Sequence, residues 1–117
     1  MAANVAGGSQ ANENVLGLSA VPQQWHEWYM VWDDASHDEE ILELAENITA
    51  SLTSAAELKG VLLPYLFMNT AGTGQRVLES FGEGNVNIIK DVASKYDPTA
   101  AFQKLQNDGY LLRDLSV

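Results

Sequence analysis

Cysteine is absent from all 117 residues. This excludes disulfides, a thiolate nucleophile, iron–sulfur clusters and cysteine-ligated zinc. Basic residues are scarce: six Lys and Arg stand against sixteen Asp and Glu, a net charge of −10. Such a field repels phosphate backbones and anionic headgroups, so neither nucleic acid nor a membrane surface is expected as a partner. No apolar run approaches the about 20 residues of a membrane span. The segment 1–13 (MAANVAGGSQANE) lacks the basic start and apolar stretch of a secretory leader, and a cytoplasmic location is expected. Asn47-Ile48-Thr49 matches the glycosylation triplet, but it falls inside a helical pattern and is read as chance.

What is present suits one globular domain. At 46% hydrophobic and 19% charged residues, the chain is too apolar to be disordered and too short for two well-built domains. Residues 1–13 read as a loose tail and 14–117 as the domain. Gln24–Trp32 (QWHEWYMVW) is dense in aromatic and β-branched residues and reads as a central strand covered on both faces. Val61–Asn69 (VLLPYLFMN) reads as a second strand, and Tyr110–Leu112 as a possible last one. Ser36-His37-Asp38-Glu39 has the form of a capping box. Apolar Ile41, Ala45, Ile48, Leu52 and Ala55 then keep helical spacing up to Gly60, predicting a helix over 37–59. A second helix is predicted over 85–96. A short third, Thr99–Leu105, is capped by Asp97-Pro98 and anchored in the core by Phe102. Residues 70–84, rich in glycine, read as a long loop of a length that is usually functional or mobile. The expected fold class is α+β, a small open, mainly antiparallel sheet with two to three helices on one face.

Three stretches carry a resemblance: Phe67-Met68-Asn69, Ser80-Phe81-Gly82-Glu83-Gly84-Asn85, and Lys95 through Leu112 (KYDPTAAFQKLQNDGYLL). In this order they resemble the C-terminal end of the fungal berberine-bridge-enzyme-like FAD-linked oxidoreductases. Asn14–Leu18 (NVLGL) and Val31-Trp32-Asp33-Asp34 are similar to the preceding part of the same family. The resemblance implies the end of a substrate domain, whose strands and helices form a wall over a flavin held by a separate large domain. That domain and its flavin-linking cysteine have no counterpart in these 117 residues, so no cofactor is expected on this chain. Where family members commonly carry Tyr-x-Asn, this sequence has Phe67 and Asn69, and Phe67 cannot move a proton.

By resemblance, Phe67 and Asn69 face the substrate. Asn69 is the first candidate catalytic residue, since an amide both donates to and accepts from a substrate oxygen. His26, among tryptophans, is the second, as an acid/base near neutral pH or as a structural histidine. Trp28, Tyr29, Trp32, Tyr65 and Phe67 are candidate substrate-binding residues; core packing accounts equally well for Tyr29 and Tyr65 and alone would explain the tryptophans. The 70–84 loop is the candidate lid. The acidic run Asp33–Glu40 matches no calcium loop and reads as a solvated helix start. Gly72-Thr73-Gly74-Gln75 lacks the lysine of a phosphate loop. The expected function is a cofactor-free isomerase or cyclase acting on a hydrophobic natural-product intermediate, dimerising through the sheet face the absent domain would cover. The alternative is a non-catalytic ligand-binding module, or the C-terminal part of a split FAD-linked oxidoreductase.

Overall fold

The computed structural model describes residues 14–18, 21–72 and 74–115; the expected tail, 1–13, lies outside them. Helices are the regular structure present. The chain runs through a 3₁₀ turn Ala35–His37, helix α1 (Asp38–Leu58), a 3₁₀ turn Glu79–Phe81, helix α2 (Glu83–Tyr96), helix α3 (Ala101–Leu105) and a 3₁₀ turn Leu112–Asp114. It divides into two compact units: Gln24–Leu63, and Pro64–Val117 together with Met1–Gln23.

The expected sheet is not there. No described residue belongs to a strand or bridge, and 24–32, 61–67 and 110–111 lie outside regular structure. The α+β class and its open antiparallel sheet are therefore overturned. The physical reason is that strand preference is largely a preference for packing on neighbouring strands, not a self-sufficient backbone choice. Aromatic and β-branched residues make 24–32 suitable for a strand without supplying a partner. Far from being covered on both faces, Tyr29 is 85% and Val31 92% exposed.

The helices follow their local signals more closely. Helix α1 begins one residue later than a Ser36 cap would set it. Asp34, not Ser36, does the capping: its Oδ1 accepts from the Ser36 amide at 2.9 Å and starts the 3₁₀ turn. That bond, with one to the Ser36 hydroxyl, holds the Asp34 carboxyl below the usual range. The acidic first turn (Asp38, Glu39, Glu40) suits the positive end of the helix dipole. At the other end Gly60 adopts φ +65°, its amide donates to Glu57 O at 2.8 Å and the Val61 amide to Ala56 O at 3.0 Å. This double closure with a left-handed residue is the Schellman stop.

In the second unit Asp97 works at longer range than expected. Its two carboxylate oxygens accept from the Ala101 and Phe102 amides at 2.8 and 2.9 Å. Helix α3 starts at Ala101 rather than Thr99 because Ala100 takes the left-handed conformation, φ 55° and ψ 38°. Phe102 is no core anchor; it is 76% exposed.

The core instead lies where a loop was expected. Val77, Leu78 and Phe81 are buried and packed around by Leu16, Tyr65, Leu66, Ala71, Ile89, Tyr110, Leu112 and Leu115. The Ser80 hydroxyl donates to Val77 O at 2.6 Å and accepts from the Leu66 amide at 3.0 Å, tying the incoming 64–67 segment to the core turn. Asn85 Nδ2 donates to Phe81 O at 2.8 Å. Gly17 packs against the same carbonyl with φ +68°, and an added Cβ there would run into Phe81 O. The Tyr110 hydroxyl donates to Gly72 O at 2.8 Å, and Arg113 holds Gln103 O through its guanidinium. Within the stretch expected to be a loop, Val77, Leu78 and Phe81 are thus packed as core.

Two outcomes follow from this core. Ser80→Ala removes the acceptor of a half-buried amide and should cost about 1–3 kcal/mol in urea unfolding. A loss below about 0.3 kcal/mol, smaller than an ordinary net hydrogen bond, would show that the Leu66–Ser80–Val77 bridge is not holding the unit. Burial raises the Tyr65 phenol, and burial then the Asp108 charge raise that of Tyr110. A raised folded-state value means the protonated form carries the stability. That stability is whole below the unfolded tyrosine value of about 10 and is lost as pH rises through the folded values. Melting temperature should therefore fall above about pH 10, and Tyr110→Phe should flatten part of that fall.

Candidate functional site

The candidate residues fall in both units. In the unit containing Pro64–Val117, the chain approaches the core through Tyr65, whose ring stacks on Phe81 with centroids 5.8 Å apart and planes 21° from parallel. Tyr65 is thus half-buried against the hydrophobic centre, and packing accounts for its position. Two residues on, Phe67 is 41% exposed. The chain then reverses, the Thr70 amide donating to Phe67 O at 3.1 Å, and Asn69 occupies the exposed corner of that turn. The alternation that places Tyr65, Phe67 and Asn69 on one side of a strand ends at this turn. Asn69 is presented by a bend rather than by a sheet.

In the unit Gln24–Leu63, His26 stacks on Trp28 with centroids 6.2 Å apart and planes 13° from parallel. Both rings are exposed. The two rings are only two residues apart along the chain, so local proximity accounts for the pair. Trp32 is held differently: its indole N–H donates to Asp38 Oδ1 at 2.6 Å, fastening the end of the aromatic segment to the first turn of α1. Tyr29 extends into solvent. His37, read as a helix-start residue, faces Glu40 Oε2 at 3.2 Å. No group of three His, Cys, Asp or Glu among the described residues is arranged to hold a metal ion. None of the helices in the described residues is long and apolar enough to cross a membrane.

One concavity was missed from sequence. An open depression of about 580 Å³ lies beside the core turn, lined by Arg76, Glu79, Asp108, Tyr110 and Asp114 among others. Arg76 Nε donates to Glu79 Oε1 at 3.0 Å. The Glu79 carboxyl is held below its usual range chiefly by its own backbone amide and further by Arg76, against the opposing effect of burial. Asn69 does not line this depression. Its walls come from Ala71, residues 74–79, residues 108–111, Asp114 and Leu115, and the Tyr110–Gly72 bond joins the two stretches. The readable signal was the Val77-Leu78-x-x-Phe81 spacing, which sets those walls on a packed base.

The described residues do not fit a flavin of their own. A pyrophosphate needs free backbone amides at a glycine turn or helix start, and basic side chains to pair with. The Gly72 amide is already taken by Gln75 Oε1 at 2.8 Å. Helix α2 opens with Glu83 in its first turn. Arg76, nearest the glycines, is paired with Glu79, and Asp108 and Asp114 share its depression.

Comparison with known proteins gives the relationship its scale. The chain is 42% identical over 106 residues to the FAD-dependent monooxygenase yanF of Aspergillus niger, which takes in 91% of this chain and 18% of that protein. It is 39% identical over 106 residues to the FAD-dependent monooxygenase macF of Penicillium terrestre, 91% of this chain and 20% of that one. It is 29% identical over 97 residues to the bifunctional solanapyrone synthase of Alternaria solani, 83% of this chain and 19% of that one. No family model matches, and no solved structure matches. The resemblance to fungal FAD-linked oxidoreductases thus holds at the level of FAD-dependent monooxygenases, and the berberine-bridge type is not among these names. The chain is similar to fungal FAD-dependent monooxygenases and spans about a fifth of the length of the curated relatives it matches.

Proposed function

We propose that this chain is the substrate-facing segment of a fungal-type FAD-dependent monooxygenase and works joined to the flavin-binding remainder of such an enzyme. One observation carries the reading: 91% of this chain matches a fifth or less of proteins named for a flavin. The unit Gln24–Leu63 supports it, because it contains no buried residue and is not built around a core of its own. The unfit of the described residues for a flavin agrees with a division of labour in which the remainder holds the cofactor. In this reading Asn69, on its exposed turn, orients a substrate oxygen through its amide. Phe67, two residues before it, is its apolar neighbour; in the other unit, taken by itself, His26 is the proton carrier.

The test is reconstitution. A relative such as macF, with the matching segment deleted, is expressed with and without this chain in trans. Co-purification of the two pieces and retention of the oxidised-flavin absorption band only when both are present is the expected result. A deleted relative that keeps its flavin and turnover unaided, with no bound chain, would overturn the reading. In the reconstituted enzyme Asn69→Ala should lower the rate by about 10²–10³, the usual effect of losing one aimed donor, and His26→Ala should lower it too. Full activity in a folded variant would remove the role given to that residue.

The rival is a cofactor-free isomerase or cyclase acting on a hydrophobic natural-product intermediate as a homodimer. The name of the bifunctional solanapyrone synthase favours it to the extent that one relative performs two activities. Turnover by the purified chain alone, without added flavin and at dimer mass in light scattering, would establish it over the monooxygenase segment.

A further inference from the structure

Asp108–Gly109 is the one place in the 117 residues where Asp or Asn precedes glycine. Glycine is the neighbour that least obstructs attack by its own nitrogen on the preceding carboxyl, because it has no side chain to crowd the closing ring. The structure leaves that closure free. Both residues are exposed, in a bend beyond the end of α3. A Cβ added at Gly109 would meet nothing within 4 Å, so a ring there has open space. The Gly109 amide donates to Asp108 Oδ1 at 2.7 Å, which holds the nitrogen beside the carboxyl group it would attack. Gln106 Nε2 donates to Asp108 O at 3.1 Å, drawing charge onto the carbonyl of the same peptide and making its N–H more acidic. Other aspartates are set differently. Asp34 Oδ1 is engaged by the Ser36 amide, two residues on. Asp97 is engaged by Ala101 and Phe102, and Pro98 after it has no N–H with which to attack.

We infer that Asp108 is a site of spontaneous isomerisation to isoaspartate, through a cyclic imide formed with Gly109. In the first step the Gly109 nitrogen bonds to Asp108 Cγ and a Cγ–O bond breaks. The departing oxygen leaves as water, taking the amide proton and the carboxyl proton. In the second step water adds at the former main-chain carbonyl, whose bond to nitrogen breaks. The chain then runs through Cγ, and the α-carboxyl becomes the side group. One water leaves and one returns, so composition is unchanged and nothing is oxidised or reduced. Water adding at Cγ instead restores aspartate. The isomer's backbone is one methylene longer just before Tyr110, whose hydroxyl donates to Gly72 O at 2.8 Å. The lengthened stretch also forms part of the wall of the open depression. The reaction asks for no flavin and does not rest on the monooxygenase reading.

The purified full chain is kept warm at neutral pH for several weeks, and samples are digested with trypsin and followed by chromatography and mass spectrometry. Cleavage after Lys104 and Arg113 puts the site in the peptide 105–113. A second peak of unchanged mass should grow with time, with electron-transfer fragments that place isoaspartate at 108. It should accept a methyl group from S-adenosylmethionine when isoaspartyl methyltransferase is added. Deamidation of the adjacent Asn107 raises the mass and is told apart by it. Asp108→Glu, whose imide ring is one atom larger, should lose the new peak. Rates test the structural part. The folded chain should convert faster than a synthetic peptide of residues 105–113, which lacks the preset contacts. Gln106→Ala should slow the folded chain about fivefold, the rate equivalent of one ordinary net hydrogen bond, and leave the peptide's rate unchanged. Circular dichroism checks folding of both variants. No isomer in the folded chain, conversion no faster than in the peptide, or an unchanged rate in folded Gln106→Ala would overturn the inference.

Discussion

Ser80 and Phe81 sit at the point on which the second unit turns. The Phe81 ring and its neighbours Val77 and Leu78 form the buried centre, while the Ser80 hydroxyl satisfies one backbone donor and one backbone acceptor from separate parts of the chain. The Phe81 carbonyl accepts from Asn85 at the start of α2 and leaves room only for a glycine at position 17. Three distant stretches, 14–17, 64–67 and 83–89, are located by groups on two adjacent residues. A half-buried backbone amide without its acceptor costs more than the bond itself is worth, so the polar bridge and the apolar cluster depend on one another.

This arrangement explains which parts of the fold were legible in the sequence. The extent of α1 was readable because its stop is local chemistry: a glycine that accepts φ +65° and two carbonyls capped within five residues. Its start was less so, since Asp34 and Ser36 are both good caps and only the geometry decides that the carboxylate accepts from the serine amide. The 70–84 stretch was read as a loop because its glycines outweighed its apolar residues. Val77, Leu78 and Phe81 nevertheless stand at i, i+1 and i+4, the spacing of one helical turn with an apolar side. Phe102 misled in the opposite direction: Ala100 turns left-handed before it, and the following helix has only five residues with which to reach a core.

The missing sheet has a different origin. Residues 24–32 carry the composition of a buried strand, and that composition records an environment rather than a conformation. The environment is not provided by the described residues, where the segment is fastened at one end by Trp32 to Asp38 and exposed at Tyr29 and Val31. The site residues inherit this ambiguity. Tyr65 was placed on a candidate wall and is accounted for by its stacking on Phe81, whereas Asn69 gains its exposed position from a turn that strand alternation does not anticipate.

The two units therefore differ in what stabilises them. Pro64–Val117 has a buried cluster, bridged polar groups and a few balanced charges, the ingredients of a unit that holds itself together. Gln24–Leu63 has one capped helix, an aromatic segment with no buried side chain, and nine carboxylates against one lysine. Self-repulsion of that size works against compaction, while exposed rings lose the burial that would offset it. In the reading proposed above, a segment that matches about a fifth of a larger flavoprotein gains the missing burial from the remainder of the enzyme.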